Sequence, residues 1–200
     1  MKLYYTPGAC SLAPHIAARE AGVPLELEKV DLGSKKTAGG SDYLKVNPKG
    51  YVPALALDDG TTLTEAGAIL QYLGDRAAGL MPPAGSMDRY REVEWITFIS
   101  SEIHKGFGPL WDPAAPEEAK RAARERLAKR LAYVDKALAG RDFLMGATFT
   151  VADAYLFTTL NWSGMTGVDL SPHANLQAFQ KRVGSRPKVQ EALRAEGLAK

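Results

Sequence analysis

Cys10 is the only cysteine in a chain of 200 residues. A thiolate is both a nucleophile and a redox centre, and its reactivity follows its surroundings. With no second cysteine, an intrachain disulfide, a dithiol redox pair and a cysteine-rich zinc site are all excluded. The three histidines, His15, His104 and His173, show neither HxxxH nor HExxH spacing, so no metal site is expected. Cys10 follows a short β-prone segment, Lys-Leu-Tyr-Tyr, and a Thr-Pro-Gly turn, and it lies beside the start of a helical pattern. Exposed N–H groups and the macrodipole at a helix start favour a thiolate. A free cysteine is also a common small core residue. Position points to chemistry, while residue type leaves both readings open.

The elements that must position this residue fall into two blocks. After the first strand, residues 11–21 read as a helix with Leu12, Ile16 and Ala17 on one face and Gly22 as its stop. Residues 25–32 read as a strand, and residues 33–40 as a polar loop. Residues 52–57 and 61–63 flank Asp58-Asp59-Gly60 as a hairpin, and a helix follows over about 65–78. The order β-α-β-loop-β-β-α is that of an α/β thioredoxin-like domain over residues 1–78. Residues 79–86 are a linker rich in Pro and Gly. Residues 87–200 read as an all-α domain. Ser86 caps its first helix, which runs through about Lys105. Pro116 suits the first turn of the next, where Leu127, Leu131, Val134 and Leu138 share a face before Gly140. Thr150-Val-Ala-Asp153 has the form of a capping box opening an apolar helix, and two short helices close the chain.

Composition narrows the function further. Lys and Arg number 25 against 23 Asp and Glu, a net charge of +2, with no basic run for nucleic acid or a membrane surface. No stretch approaches the roughly 20 apolar residues of a membrane span. The first residues lack the apolar core of a signal peptide, so a cytoplasmic location is expected.

Five segments carry a family resemblance. Met1-Lys-Leu-Tyr-Tyr-Thr-Pro-Gly-Ala-Cys10-Ser-Leu-Ala-Pro-His15 resembles the opening of bacterial beta-class glutathione S-transferases. Asn47-Pro-Lys-Gly-Tyr-Val-Pro-Ala54 and Leu63-Thr-Glu-Ala-Gly-Ala-Ile-Leu-Gln-Tyr72 resemble the family's glutathione-site segments. Residues 94–106 resemble its first long C-terminal helix, and residues 149–157 the capping segment of its helical domain. The similarity runs nearly end to end. It implies the glutathione transferase fold, glutathione as co-substrate, a small hydrophobic electrophile as second substrate, a homodimer and a role in detoxification.

The resemblance also implies roles. Val52-Pro53 would carry a cis-proline and leave the Val52 N–H and C=O to pair with the cysteinyl part of glutathione. The start of a helix at Glu65-Ala66 would hold the γ-glutamyl carboxylate on its N–H groups, with the Glu65 side chain meeting the ammonium. Relatives have Gly or Ser at Ala66; a backbone contact survives that change and a hydroxyl contact does not. Lys35, with Lys36 an equally basic neighbour, would meet the glycyl carboxylate. Thr97, Ser101 and His104, at spacings of four and three, would share one helix face beside Cys10, with Glu102 nearby. Family members usually have Asn at Thr97. Phe107, Leu110, Trp111, Trp162 and Met165 are candidates for an apolar second-substrate pocket. Cys10 and His104 are the expected catalytic residues; Tyr4, Tyr5 and Ser11 rank as support. The same residues admit a second enzyme reading, thiol-disulfide exchange through a Cys10–glutathione mixed disulfide. They also admit a non-enzymatic one, a carrier of glutathione or apolar ligands.

Overall fold

The computed structural model describes residues 1–199; Lys200, the last residue of the expected helical domain, lies outside the described residues. The chain forms two compact units, one of Met1–Met81 together with the segment from Ser185 onward, the other of Pro82–Gly184.

The first unit is built on a five-stranded sheet of order β3-β2-β1-β4-β5, from β1 (Lys2–Tyr5), β2 (Glu26–Asp31), β3 (Lys36–Thr37), β4 (Ala54–Ala56) and β5 (Thr62–Thr64). β1 and β2 are parallel, as their connection through α1 (Leu12–Glu20) requires, and the other neighbours are antiparallel. Leu3 sits opposite Leu27 on one side and Leu55 on the other, and Leu3 and Leu55 are both fully buried. A slip of one residue would turn that pair to the other face, so burial sets the register. Seven of the nine residues of α1 are buried. The expected loop at 33–40 contains β3. Asp31 accepts hydrogen bonds from the Gly33 and Ser34 N–H groups at 2.8 and 3.2 Å, and Lys35 takes a positive φ of 55°, which turns the chain back onto β2. The hairpin forms as expected. The helix after it, α2 (Ala66–Gly74), ends four residues earlier than its apolar pattern suggests.

The expected domain of residues 87–200 is not one body. α9 (Pro187–Ala195) packs on α1 in the first unit, burying Val189 and Ala192. Arg186 pairs with Glu20 through two hydrogen bonds of 2.7 and 2.8 Å. His15 Nδ1 lies 2.9 Å from Glu196 Oε1, both side chains buried, and Glu196 Oε2 accepts the Gly8 N–H at 2.9 Å. Helical periodicity shows that a face is covered without showing by which core.

The second unit is helical. One continuous run comprises α3 (Met87–Phe98), a π-helical segment Ile99–His104, a 3-10 turn Lys105–Phe107 and α4 (Gly108–Trp111). Ser86 caps it, its Oγ accepting the Arg89 N–H at 3.1 Å. α5 (Glu117–Ala137) buries Leu127, Leu131 and Val134, with Pro116 at its N-cap, one place before the expected first turn. α6 (Val151–Leu160) is buried at all ten positions and opens on the expected capping box, with Thr150 and Asp153 bonded reciprocally. α7 (Ser163–Thr166) and α8 (Ala174–Gly184) complete the unit. No helix among the described residues is long and apolar enough to cross a membrane.

Candidate active site

Cys10 lies in the turn between β1 and α1, one residue before the Ser11 N-cap, and is partly exposed. The turn is closed by hydrogen bonds from Ala9 N to Thr6 O and from Leu12 N to Ala9 O. Ser11 is fully buried, and its hydroxyl bridges the Thr6 N–H and carbonyl at 3.2 Å each, so it supports the turn as expected. Cys10 Sγ donates to the Val52 carbonyl at 3.2 Å. Val52-Pro53 is cis, as the family resemblance implied. The expectation that both Val52 backbone groups stand unused is half corrected. One lone pair of the carbonyl already receives the thiol, whereas the Val52 N–H has no acceptor among the described residues.

The loop that carries Val52 is held from both sides. Tyr43 Oη and Asn47 Nδ2 both donate to the Tyr51 carbonyl, at 2.8 and 2.7 Å. Burial pushes the Tyr43 phenol up to about 12, so it stays a donor. Lys35 donates from Nζ to the Gly50 carbonyl at 3.0 Å and lies over the Tyr51 ring, 5.9 Å from its centroid. Lys36 is in β3, and its side chain is exposed. At the other end, Lys49 Nζ reaches Glu65 Oε1 at 2.6 Å and Thr64 Oγ1 at 3.0 Å. Lys49 was not among the residues singled out from the sequence. Its only signal there is its place in the Asn47-Pro-Lys-Gly motif.

Glu65 stands at φ 70° and ψ 125°, a conformation that a side chain makes costly, and serves as the N-cap of α2 without a side-chain cap bond. The first N–H groups of α2 are therefore left for an anion, with Ala66 buried at the first helical position. The first unit thus gathers Cys10, Lys35, Val52, Pro53, Glu65 and Ala66 around one loop.

Thr97 lies in α3, and Ser101 and His104 in the π-helical segment that continues it. The π-helical segment winds more slowly than an α-helix and changes the register within Ile99–His104. Thr97 and Ser101 are exposed, with the Ser101 hydroxyl on the Thr97 carbonyl at 3.0 Å. Glu102 is paired with Arg130 Nε at 2.6 Å. His104 is partly buried, with Nδ1 2.7 Å from Tyr155 Oη and its ring edge-on to Trp162 at 4.9 Å. The expected pocket residues divide. Phe107 and Trp162 are core, 0% and 4% exposed, and meet edge to face at 5.5 Å. Trp111 and Met165 are exposed, and Leu110 is partly exposed. No group of three potential metal ligands occurs among the described residues.

A thioredoxin-like sheet with a cysteine at the start of its first helix and a cis-proline opposite, followed by a helical unit, defines the class of glutathione-transferase folds. Residues 8–76 match the family model "Glutathione S-transferase, N-terminal domain", and residues 98–187 match "Glutathione S-transferase, C-terminal domain". The chain is 50% identical over 200 residues to glutathione S-transferase GstA of Escherichia coli O157:H7, covering 99% of this chain and all of that one. A sphingomonad glutathione S-transferase complexed with glutathione superposes with a TM-score of 0.96 at 52% identity, both chains covered in full. The beta-class enzyme of Sphingomonas chungbukensis does so with a TM-score of 0.96 at 48% identity, again over both whole chains. The chain belongs to the glutathione S-transferase family, and the relatives it matches include bacterial beta-class members.

Proposed function

We propose that this protein transfers the glutathione thiolate to small hydrophobic electrophiles. The observation that carries the reading is the approach of Cys10 Sγ to the Val52 carbonyl, 3.2 Å, on a loop with Lys35 at one end and Glu65 at the other. Glutathione is an extended tripeptide with a carboxylate at one end and an amino acid at the other. Its cysteinyl backbone pairs with Val52 as an added strand, donating to the remaining carbonyl lone pair and accepting from the free N–H. The γ-glutamyl carboxylate takes the orphan N–H groups at the start of α2, and its ammonium takes Glu65. Lys35 takes the glycyl carboxylate. Thr97, Ser101 and Glu102 are further proposed contacts.

In the reaction the glutathione thiol gives its proton to solvent. The sulfur electron pair forms a bond to the electrophilic carbon, and a leaving group such as halide departs with its bonding pair. Donors that hold the thiolate lower the barrier, and Cys10 and His104 are the proposed catalytic donors. Leu110, Trp111 and Met165 are the proposed contacts of the electrophile, backed by Phe107 and Trp162. Detoxification in the cytoplasm is the proposed setting.

A second reading is favoured by the partial exposure of Cys10 at the start of α1. The Cys10 thiolate attacks a glutathione mixed disulfide, forming a Cys10–glutathione disulfide and expelling the other thiolate. A second glutathione then displaces Cys10 and leaves as oxidised glutathione. Replacing Cys10 with Ala and assaying aryl-halide conjugation and disulfide exchange side by side tests both. Undiminished exchange removes the nucleophile role, and undiminished conjugation removes Cys10 from thiolate stabilisation. Glutathione binding with no turnover of any electrophile would support the carrier reading. A homodimer is also proposed. Trp95, Phe98 and the exposed Tyr133 form an aromatic cluster with centroids 5.3 to 6.1 Å apart, suited to burial by a second copy. Light scattering should give twice the chain mass, and the chain mass alone would overturn this.

A further inference from the structure

Tyr155 carries chemistry that the sequence reading did not assign. It lies in α6, is 2% exposed, and places its hydroxyl 2.7 Å from His104 Nδ1. The two rings meet edge to face with centroids 5.9 Å apart, and the Trp162 ring also meets the imidazole edge to face, with centroids 4.9 Å apart. His104 is therefore restrained by both an aromatic clamp and a short hydrogen bond. His104 is the last residue of the π-helical segment, a form of helix often found at functional sites.

We propose that Tyr155 is a positioning residue that fixes the Nε2–H tautomer of His104, so that His104 presents a hydrogen-bond donor and not a general base. A neutral imidazole has one protonated and one acceptor nitrogen, and the bond made by one decides the role of the other. A phenol keeps its proton at neutral pH, and its oxygen is a poorer acceptor than an imidazole nitrogen. The proton between Oη and Nδ1 therefore belongs to the tyrosine. Nδ1 accepts it, and the imidazole proton is left on Nε2. A histidine held in this form can donate to a thiolate. To remove a thiol proton through Nε2 it would first have to change tautomer and turn Tyr155 from donor to acceptor, the weaker of the phenol's two roles. The inference rests on the reading of His104 as a catalytic residue and sharpens it, since it assigns the residue to thiolate stabilisation.

The test combines spectroscopy with kinetics. Long-range proton–nitrogen correlation of the ¹⁵N-labelled protein, with the His104 signals identified from their loss in His104→Gln, should show the Nε2–H tautomer in the unmutated chain. Tyr155→Phe should give mixed tautomers. It should also lower kcat for aryl-halide conjugation about 2- to 10-fold, the worth of one hydrogen bond, with the KM for glutathione nearly unchanged. An Nδ1–H tautomer in the unmutated protein overturns the inference without recourse to any variant. So does a folded Tyr155→Phe protein with the original tautomer and kcat. Full turnover in His104→Gln would instead overturn the catalytic reading of His104 on which the inference rests.

Discussion

At the scale of single residues, Glu65 couples binding to backbone strain. Its φ of 70° and ψ of 125° belong to a region where side chains cost on the order of 1–3 kcal/mol. The conformation turns the chain from β5 into α2 while the carboxylate stays exposed on Lys49. Glu65→Gly should therefore raise stability, by about 1 kcal/mol in urea denaturation, while weakening glutathione binding in calorimetry. A loss of both would show that the conformation is not strained. Gly106 gives the opposite case. A Cβ there would sit 2.8 Å from Leu127 Cδ2, on a fully buried side chain. Gly106→Ala should cost about 1–3 kcal/mol by overpacking. An unchanged melting temperature would mean that Leu127 can move aside.

At the scale of elements, the start of α6 holds two buried carboxyl groups. Asp153 accepts from the Leu144 N–H and the Thr150 N–H and hydroxyl, at 2.9, 2.8 and 3.1 Å. Glu92 accepts the Ala152 N–H at 2.8 Å through Oε1, while Oε2 has no partner. Three donors and a helix N-terminus favour the carboxylate form of Asp153, but burial, with the Glu92 charge adding to it, still pushes its carboxyl from 3.8 up to about 7, so the two groups titrate together. Burial pushes the Glu92 carboxyl from 4.5 up to about 7, against the opposing Ala152 N–H, the Thr150 hydroxyl and the charge of Arg89. The folded state then binds a proton that the unfolded chain has released. Its contribution is full below the unfolded value of 4.5 and is lost as pH rises through about 7. The urea midpoint should fall between about pH 5 and about pH 8, and Glu92→Gln should make that slope shallower, leaving the part that buried Asp153 contributes. A slope of equal size in Glu92→Gln would assign the effect elsewhere. Asp153→Ala leaves its three donors without their carboxylate and should cost at least about 2 kcal/mol.

At the scale of the whole molecule, the last helix belongs to the core formed by the first residues. Glu196 satisfies the Gly8 N–H, in the turn that leads to Cys10, and the buried His15 ring of α1. Glu196→Ala should cost about 2–3 kcal/mol, because both groups lose a buried carboxylate partner, and hydrogen exchange should quicken in α1. Protection unchanged in α1 would show that the C-terminal segment only covers a surface already stable. Much of this architecture was legible in the sequence. The alternation of short β-prone and helical segments, the Asp-Asp-Gly turn, the apolar face of α5 and the Thr150–Asp153 capping box are local signals, carried by residues within a few positions of one another. So was the setting of Cys10, through the Pro-Gly turn and the helix start beside it. What only the tertiary structure decided is where partners distant in the chain meet. It put α9 on α1, gave the Cys10 thiol to the Val52 carbonyl, set Lys49 on Glu65 and turned His104 onto Tyr155. A periodic pattern states that a face must be buried and a cap states that an end must be satisfied. Neither states which distant group does it, because that choice is made by packing and hydrogen bonding among segments tens of residues apart.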